Sequence, residues 1–199
     1  MKYCYHCGGT ILQRIPDGDE RLRYCCDSCG VVFYQNPKNI VGTLPFIDNQ
    51  VLLCRRAIEP RQGLWTLPAG FMENGETTLD GAIRETREEA GAEVAVTNDS
   101  LYTLFNLPYI SQVYLFFRAR LKHRDFTPGT ESLEVRLFHE EEIPWQEIAF
   151  PVVKSTLEYY FEDRKQNLFP VRMITMEYSK QRVLSSKLIS SSHSGELPD

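Results

Sequence analysis

The stretch GFMENGETTLDGAIRETREEAG, Gly70 to Gly91, carries six carboxylates (Glu73, Glu76, Asp80, Glu85, Glu88 and Glu89) against Arg84 and Arg87. Its pattern predicts a helix. Thr77 or Thr78 can cap the start, with Asp80 three residues after Thr77 as in a capping box. Gly91 stands where a C-terminal glycine belongs. At 100° per residue, Leu79, Ala82, Ile83, Thr86 and Ala90 share one face, the one to be buried. Glu85, Glu88 and Glu89 share another, with Gly81 among them to clear space beside the carboxylates.

Like charges at i,i+4 oppose helix formation by a few tenths of a kcal/mol per pair. Two readings follow. The face is either solvated and softened by Arg84 reaching Glu88, or it holds a cation. Mg2+ or Mn2+ is the natural ion, because hard cations take carboxylate and phosphate oxygens together.

On both sides of this helix the text reads as strands. IVGTLPFI and QVLLCRRA are separated by Asp48-Asn49, a hairpin-like turn. EVAV, YISQVYLFFRARL and EVRLFH follow the helix, and a second helix is predicted from Pro151 to about Gln166. Its Val152, Val153, Thr156, Leu157, Tyr160 and Phe161 recur at helical spacing. Strands around one strong helix, with mixed connection lengths, imply an α+β fold with a mixed sheet. Beyond Phe169 the signal weakens, and SSKLISSSHSGELPD is Ser-rich with little to bury, so residues 167–199 read as a partly disordered extension.

The first thirty residues differ in character. Cys4-Tyr-His-Cys7 and Cys26-Asp-Ser-Cys29 are two CxxC knuckles eighteen residues apart. That spacing suits four thiolates around a structural zinc with no open position. Cys26 rather than its neighbour Cys25 gives the two-residue gap to Cys29. Gly8 and Gly30 follow the knuckles, where a left-handed residue is useful. The module is assigned residues 1–37, ending in the turn-rich YQNPKN. Up to residue 40, five basic residues stand against four acidic ones before the thiolates are counted, so no basic face for nucleic acid emerges.

At 199 residues, 42% hydrophobic and 25% charged, the chain reads as one ordinary domain plus a small module. Its net charge of -5 argues against general nucleic-acid binding. It does not argue against a small anionic substrate reached through a bound cation. With no apolar run suited to a signal or a membrane span, and cysteines in metal-type spacing, a cytoplasmic protein is expected.

The spacing G-x5-E-x7-R-E-U-x-E-E-x-G-U, met by Gly70, Glu76, Arg84, Glu85, Glu88, Glu89 and Gly91, resembles the Nudix box; Thr86 and Ala92 depart at its two aliphatic U positions. The resemblance covers residues 38–166. It implies an α/β/α sandwich that hydrolyses a nucleoside diphosphate linked to another group X. It also implies that Glu85, Glu88 and Glu89 bind Mg2+ or Mn2+, helped by a backbone carbonyl of Ala69 or Gly70, while Glu76 and Arg84 orient the box. The general base varies in this family; Glu131 and Glu134 are candidates beside the box glutamates. Arg55 and Arg56 are phosphate candidates, and Phe71 beside Gly70 flanks the substrate. Trp65 is read as core, as are Tyr109 and Phe46, the weaker stacking candidates.

A zinc ribbon ahead of such a domain resembles the NADH pyrophosphatases, but their SQPWPFPxS array is absent. YQNPKNIVG, LLCRRAIEP, GLWTLPAGFMENGE and the segments around LPYISQVYLFF and PGTESLEVRLF resemble bacterial relatives of the plant chloroplast enzyme that splits FAD. The resemblance implies hydrolysis of FAD to FMN and AMP, or of ADP-ribose to AMP and ribose 5-phosphate, with a homodimer common in the family. The alternatives are NADH, nucleotide-sugar or dNTP hydrolysis, or a non-catalytic zinc-ribbon regulator that binds DNA. The intact box argues against the last.

Overall fold

A computed structural model describes residues 1–179 and 182–192. Two compact units result, Met1–Pro37 and the chain from Lys38 onward. In the first, β1 (Ile11–Arg14), β2 (Arg23–Cys26) and β3 (Val32–Phe33) form a three-stranded antiparallel sheet. Its core is small: Cys4, Ile11, Cys26 and Phe33, with Tyr24 and Val31 against them.

The second unit contains β4 (Lys38–Ile47), β5 (Gln50–Arg56), β6 (Trp65–Thr66), β7 (Ala69–Phe71), α1 (Thr78–Ala90), β8 (Val94–Ala95), β9 (Leu101–Leu107), β10 (Gln112–Leu121), β11 (Ser132–Phe138), α2 (Pro151–Gln166), β12 (Val171–Ser179) and β13 (Arg182–Ser192). The main sheet order is β11-β5-β4-β10-β9-β12-β13, with β6 on β5, β7 on β4 and β8 on β10. Pairings β4–β10 and β9–β12 are parallel and the others antiparallel, so the sheet is mixed as expected.

Strand alternation explains why helices lie on both faces. In β5, Val51 and Leu53 join the cluster that holds Val152, Leu157 and Phe161 of α2, whereas Leu52 and Cys54 join one with Ala90 of α1. In β10, Phe116 packs with the α2 cluster and Phe117 packs with Ala82 of α1. Successive residues of a strand point to opposite faces. A strand buried on both sides therefore reads as a continuous apolar run, as QVLLC and VYLFF do.

Each helix is also fastened to the sheet by a buried pair of hydroxyls. Thr43 Oγ1 lies 2.6 Å from Thr86 Oγ1, and Thr103 Oγ1 lies 3.1 Å from Thr156 Oγ1. Thr86 donates to the Ala82 carbonyl (2.7 Å) and Thr156 to that of Val152 (2.8 Å). A hydroxyl has one hydrogen, so Thr43 and Thr103 are the donors of the two pairs. Thr86 departs from the aliphatic pattern of the box because its partner on β4 is itself a threonine.

The chain after Gln166 differs from the expectation. Val171–Ser179 runs parallel to β9, burying Ile174 and Met176, and pairs with β13. Arg172 clamps Asp163 of α2 through both guanidinium nitrogens, and Asp163 also accepts from Tyr102 Oη (2.6 Å). The weak pattern of VRMITMEYS reflects a strand with one half-buried face. Within the Ser-rich tail, Ser185–Ser192 lies in β13 and residues 193–199 lie outside the described residues. β9, from LYTLFNL, is a further strand the sequence pattern did not announce.

Candidate active site

The start of α1 is capped by Thr77, whose hydroxyl accepts from the Asp80 amide (3.1 Å) while the Asp80 carboxylate accepts from Thr77, completing the capping box. Gly91 ends the helix at φ +59°. Of the face predicted to be buried, Ala82, Thr86 and Ala90 are buried. Glu85 and Glu89 are buried too, while the Glu88 side chain is 56% exposed. The acidic face is thus no solvated stripe.

Arg84 organises the loop in front of the helix. It donates two bonds to Glu76 (3.0 and 2.9 Å), one each to Glu85 (2.7 Å) and Glu88 (3.0 Å), and one to the Phe71 carbonyl (3.2 Å). Glu76 accepts in addition from the Glu73 amide (2.7 Å). With the Arg84 guanidinium beside it, the Glu76 carboxyl is held down at about 2. Gly81 serves this arrangement differently from the expectation. A Cβ there would meet Glu76 Oε1 at 2.6 Å and Val41 at 2.8 Å, so it clears space for Glu76 and for packing on β4, not for the other three acids.

Glu89 accepts from the Ala69 amide (3.2 Å), and a Cβ on Gly70 would lie 2.4 Å from the Glu85 carboxylate. Glycine at this position therefore leaves the Glu85 carboxylate room beneath β7. Burial pushes the Glu89 carboxyl up to about 8, with Glu85 and Glu131 adding to the push. Burial also raises Glu85, although Arg84 opposes it. Two desolvated acids with raised pKa values are what a cation site looks like before the cation arrives. Hard oxygen donors on Glu85, Glu88 and Glu89 fit Mg2+ or Mn2+ in kind. Their oxygens are not gathered on one point, since Arg84 holds two of the three carboxylates.

These raised values carry a sign. The folded protein keeps a proton on Glu89 that the unfolded chain releases above its ordinary 4.5. Without Mg2+ or Mn2+, stability therefore falls as pH rises from 4.5 towards 8, by up to ~1.4 kcal/mol per unit for one proton. Thermal melting of the zinc-loaded protein across that range is expected to show the slope. Added Mn2+ should stabilise most at the alkaline end, where the carboxylates are free to bind it.

A second segment closes on the helix from behind. Gly129 N–H donates to the Glu89 carbonyl (3.0 Å) and Thr127 N–H to that of Ala90 (2.9 Å). A Cβ on Gly129 would sit 1.7 Å from the Glu88 carbonyl oxygen, so TPGT is moulded to the last turn of α1. This carries Glu131 into the same cavity as Glu85, Glu88 and Glu89. The Glu131 carbonyl accepts from Ala57 N–H (2.8 Å), which ties that segment to the end of β5. Sequence reasoning named Glu131 without this tie; the glycine of TPGT was its available signal.

The cavity has a volume of about 1010 Å³. Arg56 lines it, with its Nε donating to the Pro60 carbonyl (2.9 Å) and its guanidinium over the Phe150 ring. Arg55 and Glu134 do not line it. They are cross-strand neighbours of β5 and β11, 3.9 Å apart, and Arg55 Nε donates to the Gly63 carbonyl (2.9 Å). Adjacent strand residues face opposite ways, so only one of the two arginines can reach the cavity. Gly70 and Phe71 line it as the resemblance implies. Tyr109, read as core, is instead 44% exposed on the cavity wall, while Trp65 is buried and Phe46 packs against the same core.

The first unit holds its own site. The Sγ atoms of Cys4, Cys7, Cys26 and Cys29 lie within 4.8 Å of one another, Cys7 to Cys26 at 3.4 Å and Cys4 to Cys29 at 3.9 Å. Tetrahedral zinc with Zn–S bonds of ~2.3 Å separates sulfurs by ~3.8 Å, so the four thiolates fit it. Backbone N–H groups of His6, Gly9 and Cys29 donate to Cys4, Cys7 and Cys26, and both Gly8 and Gly30 take φ +74°. Cys25 faces away, towards the carbonyls of Arg14 and Arg23.

Known proteins share this organisation. Residues 37–157 match the model of the NUDIX domain and residues 2–35 that of the Nudix N-terminal zinc ribbon. The chain is 28% identical to the NAD-capped RNA hydrolase NudC of Stutzerimonas stutzeri over 164 residues, 81% of this chain and 55% of that protein. It therefore spans little more than half the length of that curated relative. A 58-residue segment, 29% of the chain, is 40% identical to an ADP-ribose pyrophosphatase of Methanocaldococcus jannaschii, covering 34% of it. A NUDIX hydrolase structure from Nitrosomonas europaea superposes with a TM-score of 0.82 at 54% identity, covering 88% of this chain and 99% of that one. With the box glutamates gathered at one cavity and more than half the residues matched, the chain belongs to the Nudix family of hydrolases.

Proposed function

We propose that this Nudix hydrolase cleaves the pyrophosphate of a nucleoside diphosphate joined to a second bulky group, with FAD the favoured substrate and ADP-ribose the next. The observation that carries the reading is the cavity itself. Its volume is at the top of the range usual for small-molecule sites. Glu85, Glu88, Glu89 and Glu131 line it together with apolar and aromatic side chains such as Phe71, Tyr114, Phe150 and Met176. A diphosphate placed at the carboxylates leaves room for both of its substituents.

In this reading Glu85, Glu88 and Glu89 hold Mg2+ or Mn2+ with a carbonyl of Ala69 or Gly70. The ion supplies Lewis acidity that draws charge off the pyrophosphate oxygens and lowers the pKa of water. Arg56 meets a phosphate. Glu131, placed by the TPGT segment, takes the proton of the attacking water as general base. Arg84 and Glu76 keep the box loop on α1. Water adds at one phosphorus, the bridging P–O bond breaks, and two monophosphates leave.

The NudC relatives favour a second reading, in which an NAD moiety is cleaved. Incubation with Mg2+ or Mn2+ and FAD, ADP-ribose or NADH in turn, with products identified by mass, separates them. FMN and AMP from FAD is the expected result. No AMP from any of the three would overturn the proposal.

A further inference from the structure

Strand β10 carries a charge where its pattern calls for an apolar residue. In YLFFRARL the alternation that turns Phe116 towards α2 turns Arg118 the same way. There the guanidinium carbon of Arg118 stands 3.3 Å over the centre of the Phe169 ring and 5.6 Å from that of Phe46. These rings are joined through Tyr160 of α2, whose centre lies 5.7 Å from Phe46 and 5.8 Å from Phe169, stacked on the latter. Aromatic faces thus surround a half-buried cation.

Rings satisfy only part of a guanidinium. They attract its flat side, whereas its N–H bonds lie in the plane and need acceptors. Among the described residues Arg118 has none. Its Nε is the one buried side-chain nitrogen or oxygen without a hydrogen bond, and no described residue bonds or ion-pairs with the rest of the group. The nearby carboxylate, Asp163, is already spent: Arg172 donates to both of its oxygens, and Tyr102 donates to one. Arg118, Arg172 and Asp163 together therefore leave one positive charge over. Burial lowers the Arg118 pKa, with Tyr160, Tyr102 and Asp163 opposing. A buried cation without an anion costs stability, which an apolar side chain at position 118 would not.

We infer that Arg118 anchors a second anion site, for a small oxyanion of the phosphate class, completed by the Tyr160 hydroxyl and Arg164. The field of both arginines reaches Tyr160, whose hydroxyl bonds to no described residue. Arg164 gives one terminal nitrogen to the Asn49 carbonyl (2.9 Å) and holds the other 3.8 Å from Glu140, which leaves its Nε to offer. Donors on three side chains suit the several oxygens of a phosphate better than the two of a carboxylate. The guanidinium fork meets two such oxygens at once. This site is separate from the cavity that holds the box glutamates. Tyr114 lines that cavity and precedes Arg118 by four strand residues, ~13 Å. Helix α2 spans both places: Pro151, Val152 and Val153 line the cavity, and Tyr160 comes about two turns later.

The test stands apart from the proposed reaction, because it omits the divalent ion that the reaction needs. Melting of the full-length zinc-loaded protein is followed as inorganic phosphate replaces chloride at constant ionic strength. Wild type is expected to gain stability along a saturable curve. Arg118→Met should lose the saturable part and keep only the shallow, linear gain that phosphate gives any folded protein. Arg118→Lys keeps the charge without the fork, and its midpoint should need ~10-fold more phosphate, which also serves if the methionine variant folds poorly. Tyr160→Phe keeps the ring packing and should raise the midpoint by ~3-fold or more; an unchanged midpoint there would strike the hydroxyl from the site. Arg56→Met, in the cavity of the box glutamates, should leave the saturable curve in place. No saturable gain in wild type, identical curves for wild type and both Arg118 variants, or loss of the curve in Arg56→Met would overturn the second site.

Discussion

Glu89→Gln should lower turnover by ~10²-fold or more while leaving the melting temperature unchanged or higher. Glutamine keeps the shape of the side chain and the oxygen that accepts from the Ala69 amide. It removes the charge that a cation requires. At pH 8 without divalent ion it also removes a buried acid whose ionisation opposes folding, since burial holds Glu89 near 8. The two readouts moving apart is the informative outcome, because a misfolded variant loses both. A binding module that merely retains the fold would show no loss of function, and an unchanged rate would refute the metal role of Glu89.

The second large effect belongs to the first unit. Cys26→Ser is expected to abolish zinc binding and to unfold Met1–Pro37. Domains below about 40 residues seldom bury enough apolar surface to fold without a metal or disulfides. Here Cys4 and Cys26 are themselves part of a core of four buried residues. Structural zinc contributes ~10–16 kcal/mol of apparent binding energy in comparable small modules, which is lost with one ligand. Metal analysis and amide dispersion in NMR spectra of the full chain would show both losses. Cys25→Ser is the control, and it should keep the metal because its sulfur faces backbone carbonyls instead of the cluster. Retention of zinc and fold by Cys26→Ser would refute the assignment.

Legibility in the sequence followed how local the determining physics is. The ends of α1 depend on Thr77, Asp80 and Gly91, a few residues apart, and they were readable. The cysteine knuckles were readable for the same reason. Glu85 and Glu89 were readable as a pair but not as buried, because burial comes from β7 crossing the helix, which only the Gly70 contact reveals. Arg55 and Arg56 illustrate a different limit. Alternation says that one of two neighbours reaches a given face, but the face is set by β11 pairing far along the chain. Tyr109 looked like core because aromatic residues in strand-rich text usually are, whereas its place in a turn exposes it. β12 was hidden most completely, since the strand that seats it in the main sheet is β9, distant in sequence.

The threonine pairs that fasten the helices to the sheet have an evolutionary consequence. Each pair is a directed relay: the sheet hydroxyl gives its hydrogen to the helix hydroxyl, which passes its own to a carbonyl. The two positions are therefore not equivalent under substitution. Thr43→Val leaves Thr86 with a satisfied donor, but Thr86→Val strands the Thr43 hydrogen in a dry interior, at about 1–3 kcal/mol. Urea melts of the two single variants and the double variant would expose this ordering, with the double closer to wild type than Thr86→Val. Descendants of this sequence should then lose the sheet threonine first, and an aliphatic residue at position 86 should seldom coexist with a threonine at 43.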